Sequence, residues 1–277
     1  MMKFSKIGLK RFFFKLSVIL LILIVVYNIF YIYIILSRVK IDTVQSSTNS
    51  IKVLTFNVEY GFTELIFNQI SKIDADIVAF QEANPAFINS SFYTMDQVAD
   101  FLNMYYLPSE QNTNQIYGLA IFSKWEITDS NIIHYKDQPG TFPRGLEIAQ
   151  VQSPYGLIEV MNTHLSFPTS VSARYRQVNT IIDYVNQDIP TLVAGDFNTP
   201  ASLLDPSYWK LSSRFSDGWI ASGGNLYAGR TWNKDIQILR VDYIWLTNQW
   251  SIIEDSGRLY ESQESDHLGF SVDIVLN

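Results

Sequence analysis

Thr191-Leu192-Val193-Ala194-Gly195-Asp196-Phe197-Asn198-Thr199-Pro200 is the stretch whose reading decides the fold. A short apolar run, opened by Pro190 and closed by Gly195 and Pro200, has the pattern of a buried strand. Its carboxyl end carries an acid and an amide two positions apart. Residues at i and i+2 of an extended strand point the same way, so Asp196 and Asn198 are expected to face one spot. A carboxylate there can take a proton from water or hold a metal, and the amide can donate to a phosphoryl oxygen or orient the water. Asp and Asn are also ordinary turn residues, so this stretch needs the rest of the chain to distinguish a site from a turn.

Working back from it, residues 170–187 read as a helix with Tyr175, Val178, Ile182 and Val185 toward the core and with Arg174 and Gln177 as neighbours. Before that helix come two strands, Leu146 to Gln152 and Leu157 to Thr163, joined by a Ser-Pro-Tyr-Gly turn, the second ending in Asn162-Thr163-His164-Leu165. The Asp196 strand is thus reached through a strand–helix–strand crossover. An earlier one runs from the strand Ile51 to Val58, ending in Phe56-Asn57-Val58-Glu59, through a helix capped by Thr63 with Leu65, Ile66, Ile70 and Ile73 on its stripe, to the strand Asp76 to Phe80, ending in Gln81-Glu82. Between the crossovers lie a short helix at 96–103, strands Tyr117 to Phe122 and Trp125 to His134, and a loop at 136–144 with Pro139, Gly140 and Arg144. His134 falls in a polar setting and is read as a surface residue without a role. Downstream, an irregular Ser/Gly-rich region runs from Pro206 to Gly229, followed by strands Arg240 to Leu246, Ile252 to Leu259 and Leu268 to Leu276, the last preceded by Ser265-Asp266-His267.

The N-terminus is different in kind. Residues 16–36 are uncharged and almost wholly apolar, and at 1.5 Å each they span about 31 Å, a bilayer core. Five basic residues precede the stretch and two follow, which predicts a basic cytoplasmic N-terminus at 1–15, an uncleaved single-pass signal anchor at 16–36 in the lipid bilayer, and an extracytoplasmic domain. Residues 37–50 read as a polar tether, and 51–277 as the domain. Residues 1–40 hold seven of the 20 basic residues and no acid, which leaves 13 basic against all 27 acidic residues beyond them, a net charge of −14. Such a domain repels polyanions at long range, which disfavours nucleic acid as a partner without excluding it. With no cysteine in the chain, disulfides, thiolate catalysis and Cys-ligated zinc are excluded.

Strand ends spread over more than 200 residues each present a polar group: Asn57, Glu82, His164, Asp196 with Asn198, and Asp266 with His267. Asp242 adds a sixth, set in the apolar strand Val241-Asp242-Tyr243-Ile244-Trp245, where a buried acid needs a partner and a histidine is the natural one. The ordered series F-N-V-E-Y, Q-E-A, Y-G-L-A-I-F-S, N-T-H-L, R-Y-R-Q, G-D-F-N-T-P, R-V-D-Y-I-W and S-D-H-L-G resembles the endonuclease/exonuclease/phosphatase superfamily, the group of deoxyribonuclease I, exonuclease III and neutral sphingomyelinase, from about Ile51 to the C-terminus.

That resemblance implies a four-layer α/β sandwich, two packed mixed and mainly antiparallel sheets flanked by helices, with the site among the strand ends. It implies that Glu82 binds metal with Asn57 in support and Asp266 as an additional metal or metal-water acid. Asp196 would position or deprotonate the attacking water, Asn198 would orient it, Asp242 and His267 would form an Asp–His pair, His164 would be a second histidine, and Arg144 would contact the substrate phosphate. The chemistry of the residues agrees. Oxygen ligands without thiolates favour a hard cation, Mg2+ or alternatively Mn2+. No activated serine or cysteine stands out, so water is the nucleophile. The expected function is metal-dependent hydrolysis of a phosphate ester (phosphodiester, monoester or pyrophosphate) on a lipid-linked or small substrate at the outer membrane face. The alternatives are a membrane-anchored extracytoplasmic nuclease and, from another class, an inactive binding module on the same fold.

Overall fold

A computed structural model describes residues 6–59, 61, 63–83, 93–107, 118–136, 142–167, 169–202, 204–233 and 235–277. Contacts divide the chain into two units, Met1–Arg38 and Val39–Asn277. The first is one helix, α1 (Lys6–Ser37), whose described side chains run from Lys15 to Phe30 with the large apolar ones exposed. Among the described residues no helix is long and apolar enough to cross a membrane. The expected span at 16–36 lies inside α1, but its side chains at 31–36 fall outside the described ones.

The second unit runs β1 (Thr43–Val44), β2 (Ile51–Asn57), α2 (Glu64–Ile73), β3 (Ile77–Gln81), α3 (Met95–Leu102), β4 (Tyr105–Leu107), β5 (Ala120–Ser123), β6 (Ile127–His134), β7 (Gly145–Ser153), β8 (Gly156–His164), α4 (Val171–Tyr184), β9 (Thr191–Asp196), α5 (Pro206–Ser212), β10 (Ser216–Asp217), α6 (Gly218–Ala221), β11 (Asp242–Leu246), β12 (Trp250–Ile253), β13 (Arg258–Tyr260) and β14 (Gly269–Leu276). One sheet has the order β1-β12-β14-β2-β3-β5-β4, with β13 beside β14; the other has the order β10-β11-β9-β8-β7-β6. The two predicted crossovers make β2–β3 and β8–β9 parallel pairs in otherwise mainly antiparallel sheets.

Alternation sorts each strand's residues into layers. Ile51, Val53, Ile77, Ala79, Val160, Leu192, Ala194 and Ile244 fill the space between the sheets. Leu54, Phe56, Val78, Phe80 and Phe122 face outward onto Ile66, Phe67, Ile70 and Ile73 of α2 and Met95 and Val98 of α3. Leu146, Met161, Val193, Tyr243 and Trp245 face outward onto Val178 and Ile181 of α4 and Tyr208 and Leu211 of α5. Helix, sheet, sheet, helix is the expected four-layer order. Local chemistry sets the ends: Thr63 caps α2 by accepting from Ile66 N–H, and Thr94 and Gln97 close a capping box on α3.

The structure departs from the sequence reading in four places. The buried face of α4 is Ala173, Arg174, Gln177, Val178 and Ile181, while Tyr175, Ile182 and Val185 are only partly buried, because Arg174 and Gln177 find polar partners inside. The region expected to be irregular beyond Pro206 holds α5, β10 and α6, nucleated by Asp205 and Asp217 as N-caps where no apolar periodicity announces a helix. The strand expected at 252–259 is two, β12 and β13, broken by a turn in which Asp255 takes a left-handed φ of 55°. Within the stretch read as a tether, Thr43 and Val44 pair with Ile252 and Ile253. Tyr117, Pro139 and Gly140 lie outside the described residues.

Candidate active site

At one end of the sandwich the inward-facing residues change from apolar to polar. On β2, Ile51 and Val53 are followed on the same face by Thr55 and Asn57; on β8, Ile158 and Val160 by Asn162 and His164; on β9, Leu192 and Ala194 by Asp196. On β11, which runs the other way, Leu246 and Ile244 lead to Asp242. Register then sets His164 beside Asp196 and Asp196 beside Asp242. The site is the wet end of an inner face whose remainder is core.

Two glycines make the close approaches there. Gly195 has a φ of 146°, and a Cβ on it would overlap the carbonyl oxygen of Thr163. Gly118 has a φ of 56°, and a Cβ would come 2.6 Å from Ala83 N and 2.8 Å from Glu82 Cα. Glu82 itself is left-handed, with a φ of 55°, directly after β3, and the Ala83 N–H to Gly118 carbonyl bond (2.9 Å) holds that turn.

The side chains converge across the two sheets. Asn57 Nδ2 donates to Glu82 Oε1 (3.3 Å) and to Asp196 Oδ2 (3.2 Å). His164 Nε2 lies 3.2 Å from Asp196 Oδ2, and its Nδ1 lies 3.9 Å from Glu82 Oε1. His267 Nδ1 lies 2.8 Å from Asp242 Oδ2, and its Nε2 is 3.8 Å from both Asp196 Oδ2 and Asp266 Oδ1. Asp266 is half exposed and accepts from Trp232 Nε1 (3.2 Å). Arg144 precedes β7 at the same end, near enough for its charge to act on His164.

Asn198 does not share a strand face with Asp196 as alternation predicts. The strand stops at Asp196; Asn198 is left-handed (φ 47°), its N–H donates to Asp196 Oδ1 (2.8 Å), and its Nδ2 donates to the Leu165 carbonyl (3.0 Å). The turn propensity of Asp and Asn wins locally, and the side-chain amide is held on the loop after β8 while the backbone N–H binds Asp196. Asp242 likewise opens β11 instead of lying inside a longer strand.

The ionisable groups are held in different charge states. Burial lowers the His164 pKa, Arg144 lowers it further, and Asp196 and Glu82 only partly oppose them, so this ring is neutral. Burial also acts to lower His267, but Asp242 and Asp196 outweigh it and push the ring up to about 10, so it is a cation. Burial raises the Asp196 carboxyl, yet the two imidazoles and the Asn198 N–H hold it well below the usual carboxylate range. Burial pushes Asp242 up, opposed by His267. An ionised acid, a neutral imidazole and an imidazolium thus meet within hydrogen-bonding distance of one locus.

A sequence profile of the Endonuclease/Exonuclease/phosphatase family matches residues 54–267, which include Asn57, Glu82, Asp196, Asp242 and His267. The chain belongs to the endonuclease/exonuclease/phosphatase family. Members of this family are divalent-metal-dependent hydrolases of phosphoester bonds. No curated protein matches the chain. Solved structures similar to it include an endonuclease/exonuclease/phosphatase from Beutenbergia cavernae DSM 12333 (TM-score 0.67, 19% identity, 83% of this chain and 72% of that one). Two others are the mannosyl-6-phosphatase of Bacteroides thetaiotaomicron VPI-5482 (0.65, 15%, 82% and 100%) and D. rerio TDP2 complexed with single strand DNA product (0.64, 18%, 81% and 98%). At these identities they establish the fold alone.

For this family member the donor set fits a hard cation on the Glu82 side. With its Nε2 proton directed at Asp196, neutral His164 presents a bare Nδ1 that is buried, has no hydrogen-bond partner and faces the Glu82 carboxylate. Two acceptors facing each other across 3.9 Å call for a cation or a donor between them. Asp196, Asp242 and His267 also place one ligand atom each within 4.8 Å of one another. There the closest contact is the Asp–His hydrogen bond, and an imidazolium is a poor metal ligand.

Several supporting residues take no role in the sequence reading, although Glu59 and Arg174 fall within the quoted strings F-N-V-E-Y and R-Y-R-Q. Thr231 Oγ1 accepts from the N–H groups of Val241 and Asp242 (both 3.2 Å), and Trp232 bridges to His267. Glu59 accepts from Asp266 N–H (2.7 Å) and donates its own N–H to Asn57 Oδ1. Arg174, fully buried, donates to Thr199 Oγ1 (3.1 Å), the Phe167 carbonyl (3.0 Å) and Asp205 (3.3 Å), tying together the loops after β8 and β9.

Proposed function

We propose that this protein hydrolyses a phosphate ester with water as the nucleophile, using a hard divalent cation held by Glu82 with Asn57 and assisted by Asp266. The observation that carries this is the adjacency of three differently charged groups: ionised Asp196, neutral His164 and cationic His267. Asp196 takes the proton of the attacking water while Asn198 orients it. His267, held by Asp242, donates to a phosphoryl oxygen where negative charge develops, Arg144 binds a remaining oxygen, and His164 steadies Asp196 through its Nε2 proton. The cation, Mg2+ or Mn2+, neutralises phosphoryl charge that a domain of net charge −14 would otherwise oppose.

We infer further that residues 16–36 anchor the protein in a bilayer with the N-terminus cytoplasmic and the domain outside, supported by the apolar, exposed face of α1 and by the basic residues before it. The acidic domain favours a small or lipid-linked phosphate over nucleic acid. Similar structures include both a sugar phosphatase and a DNA-bound enzyme, so the fold leaves that choice to the site. A binding module without activity is disfavoured because the Asp–His pair is in contact and the Glu82 and Asp196 carboxylates are joined through Asn57.

The test is the full-length protein assayed with Mg2+ against sugar phosphates, an isoprenyl pyrophosphate, sphingomyelin, phosphoinositides, RNA and plasmid DNA, each with and without chelator. Metal-dependent release of phosphate or phosphomonoester from a small or lipid-linked substrate is expected. Preferential cleavage of DNA or RNA would replace this reading with the nuclease one, and no turnover of any phosphate would favour the binding module.

A further inference from the structure

Beneath the site lies a second polar layer that no step of the proposed chemistry uses. Going down from His164 on β8 the next inward residue is Asn162; beside Glu82 the last residue of β3 is Gln81; across β7 from Asn162 stands Glu147. All three are buried, and the next inward residues, Val160, Ala79 and Ala149, are core.

Asn162 crosses from its own sheet into the other. Its Nδ2 donates to the backbone carbonyls of Phe80 (2.8 Å) and Ala120 (3.2 Å), on neighbouring strands β3 and β5, and its Oδ1 accepts from Gln81 Nε2 (2.8 Å). Gln81 in turn bonds Thr55 on β2. One amide, two residues from His164, therefore fastens β8 to β3 and β5 of the facing sheet, and Gln81, next to Glu82, extends the bridge to β2. The halves of the site belong to different sheets: Asn57 and Glu82 to one, His164 and Asp196 to the other. Their separation, 3.9 Å from Glu82 Oε1 to His164 Nδ1, is spanned within the site by the Asn57–Asp196 bond and supported from beneath by this bridge.

We propose that Asn162 and Gln81 are positioning residues that set the spacing between the two halves of the active site, with the buried Glu147 beside them governing how firmly the Asn162 amide stays on its carbonyl partners. This rests on the phosphoesterase reading of the same site. Glu147 Oε2 is only at the edge of reach of Asn162 Nδ2 (3.4 Å), and Oε1 has no hydrogen-bond partner. The residues beside Glu147 on the neighbouring strands, Asn162 on β8 and Ile132 on β6, carry no charge. Burial accordingly pushes its pKa up to about 8, with Asn162 alone opposing. Once ionised, Glu147 competes as a charged acceptor for the Asn162 N–H groups, drawing them from Phe80 and Ala120 and slackening the bridge. A shift near 1 Å across a reacting centre is enough to cost about 10²-fold in rate.

The experiment uses the full-length protein with Mg2+ and a chromogenic phosphate ester, with rates measured across pH and metal concentration, and Mn2+ binding measured separately by water-proton relaxation. Asn162→Asp keeps the acceptor and removes the donor. It is expected to lower kcat about 10- to 100-fold with KM within about threefold, and to weaken Mn2+ binding, as changes behind metal ligands do. Glu147→Gln, isosteric and unable to ionise, is expected to keep the rate at pH 7 within about twofold and to lose a fall in wild-type activity centred near pH 8. An Asn162→Asp protein with wild-type kcat and wild-type Mn2+ affinity overturns the proposal, as does an unchanged alkaline fall in Glu147→Gln. If the wild type turns over no phosphate ester, the hydrolase reading fails on its own, and the Mn2+ affinities of the two variants still decide whether the bridge shapes the site.

Discussion

Replacing Asp242 by Asn tests whether the Asp–His pair works by holding a proton on His267. The change keeps shape and the N–H bond to Thr231 but removes the charge 2.8 Å from Nδ1. In the native protein Asp242 and Asp196 raise the ring from 6.5 to about 10 against burial. Without Asp242 burial still acts to lower it and only Asp196 and Asp266 oppose, so the ring falls from its native value toward that of an ordinary imidazole, about 6.5. If the imidazolium is the donor, then at pH 8 only about 3% of the variant carries it and turnover falls about thirtyfold or more, whereas at pH 6 most of it does and the loss is about twofold or less. The assay is kcat against pH from 5.5 to 9 at saturating Mg2+ for both proteins. A loss of equal size at every pH would show that Asp242 orients the ring without setting its charge. Unchanged turnover at pH 8 would remove the pair from the mechanism.

Stability should follow the same linkage. The native ring has its pKa raised on folding, so its contribution is complete below pH 6.5 and is lost as pH rises through about 10. At pH 8 roughly 3 kcal/mol of it remains as an upper bound, and Asp242→Asn gives up part of that while regaining what burying the carboxylate costs. The double variant Asp242→Asn with His267→Ala should be no slower than His267→Ala alone, as groups acting as one unit behave.

Glu82→Ala should abolish metal-dependent turnover and weaken Mn2+ binding while leaving the urea midpoint nearly unchanged, because this side chain is 19% exposed at a strand end; full activity in that variant or in excess chelator would remove Glu82 from the site. Gly195→Ala should destabilise the domain by more than about 4 kcal/mol, since a Cβ there meets the Thr163 carbonyl and the φ of 146° suits glycine; a wild-type midpoint would mean that β8 and β9 are not that close. Arg240→Met should cost about 3–5 kcal/mol by leaving buried Asp217 without the two bonds of 2.7 and 2.8 Å that it accepts, with the loss read as a lowered urea midpoint.

The legible features of the fold were those written as short-range alternation. The strands around Val53, Val160 and Val193 show it, and so do the crossovers that make β2–β3 and β8–β9 parallel. The strand-end groups Asn57, Glu82, His164, Asp196, Asp242 and His267 were legible for the same reason, because a polar residue closing an apolar run is conspicuous. What stayed hidden depends on contacts distant in sequence. Trp232 supports Asp266 from 34 residues away, and Arg174 bonds Asp205 across 31, without any local pattern. Asn198 was placed on the wrong geometry because alternation ended one residue earlier than the apolar run suggested.

The first strand of the domain lies far from the site. Val39 N–H donates to the Ser212 carbonyl, and Ser216 Oγ donates to the Val39 carbonyl. Ser216 pairs with Leu246, the end of β11 away from Asp242, and Thr43 pairs with Ile252, whose partner Ile274 pairs with Ile51, the end of β2 away from Asn57. Val39 and β1 therefore lie at the end of the sandwich opposite the site. Strands such as the nine-residue β8 separate the two ends by about 30 Å. Changing Thr43 and Val44 to glycine, which loosens the pairing with β12 at that far end, should therefore lower the urea midpoint while leaving kcat on a water-soluble phosphate ester within about twofold; a larger loss of kcat would show that β1 and the site are coupled.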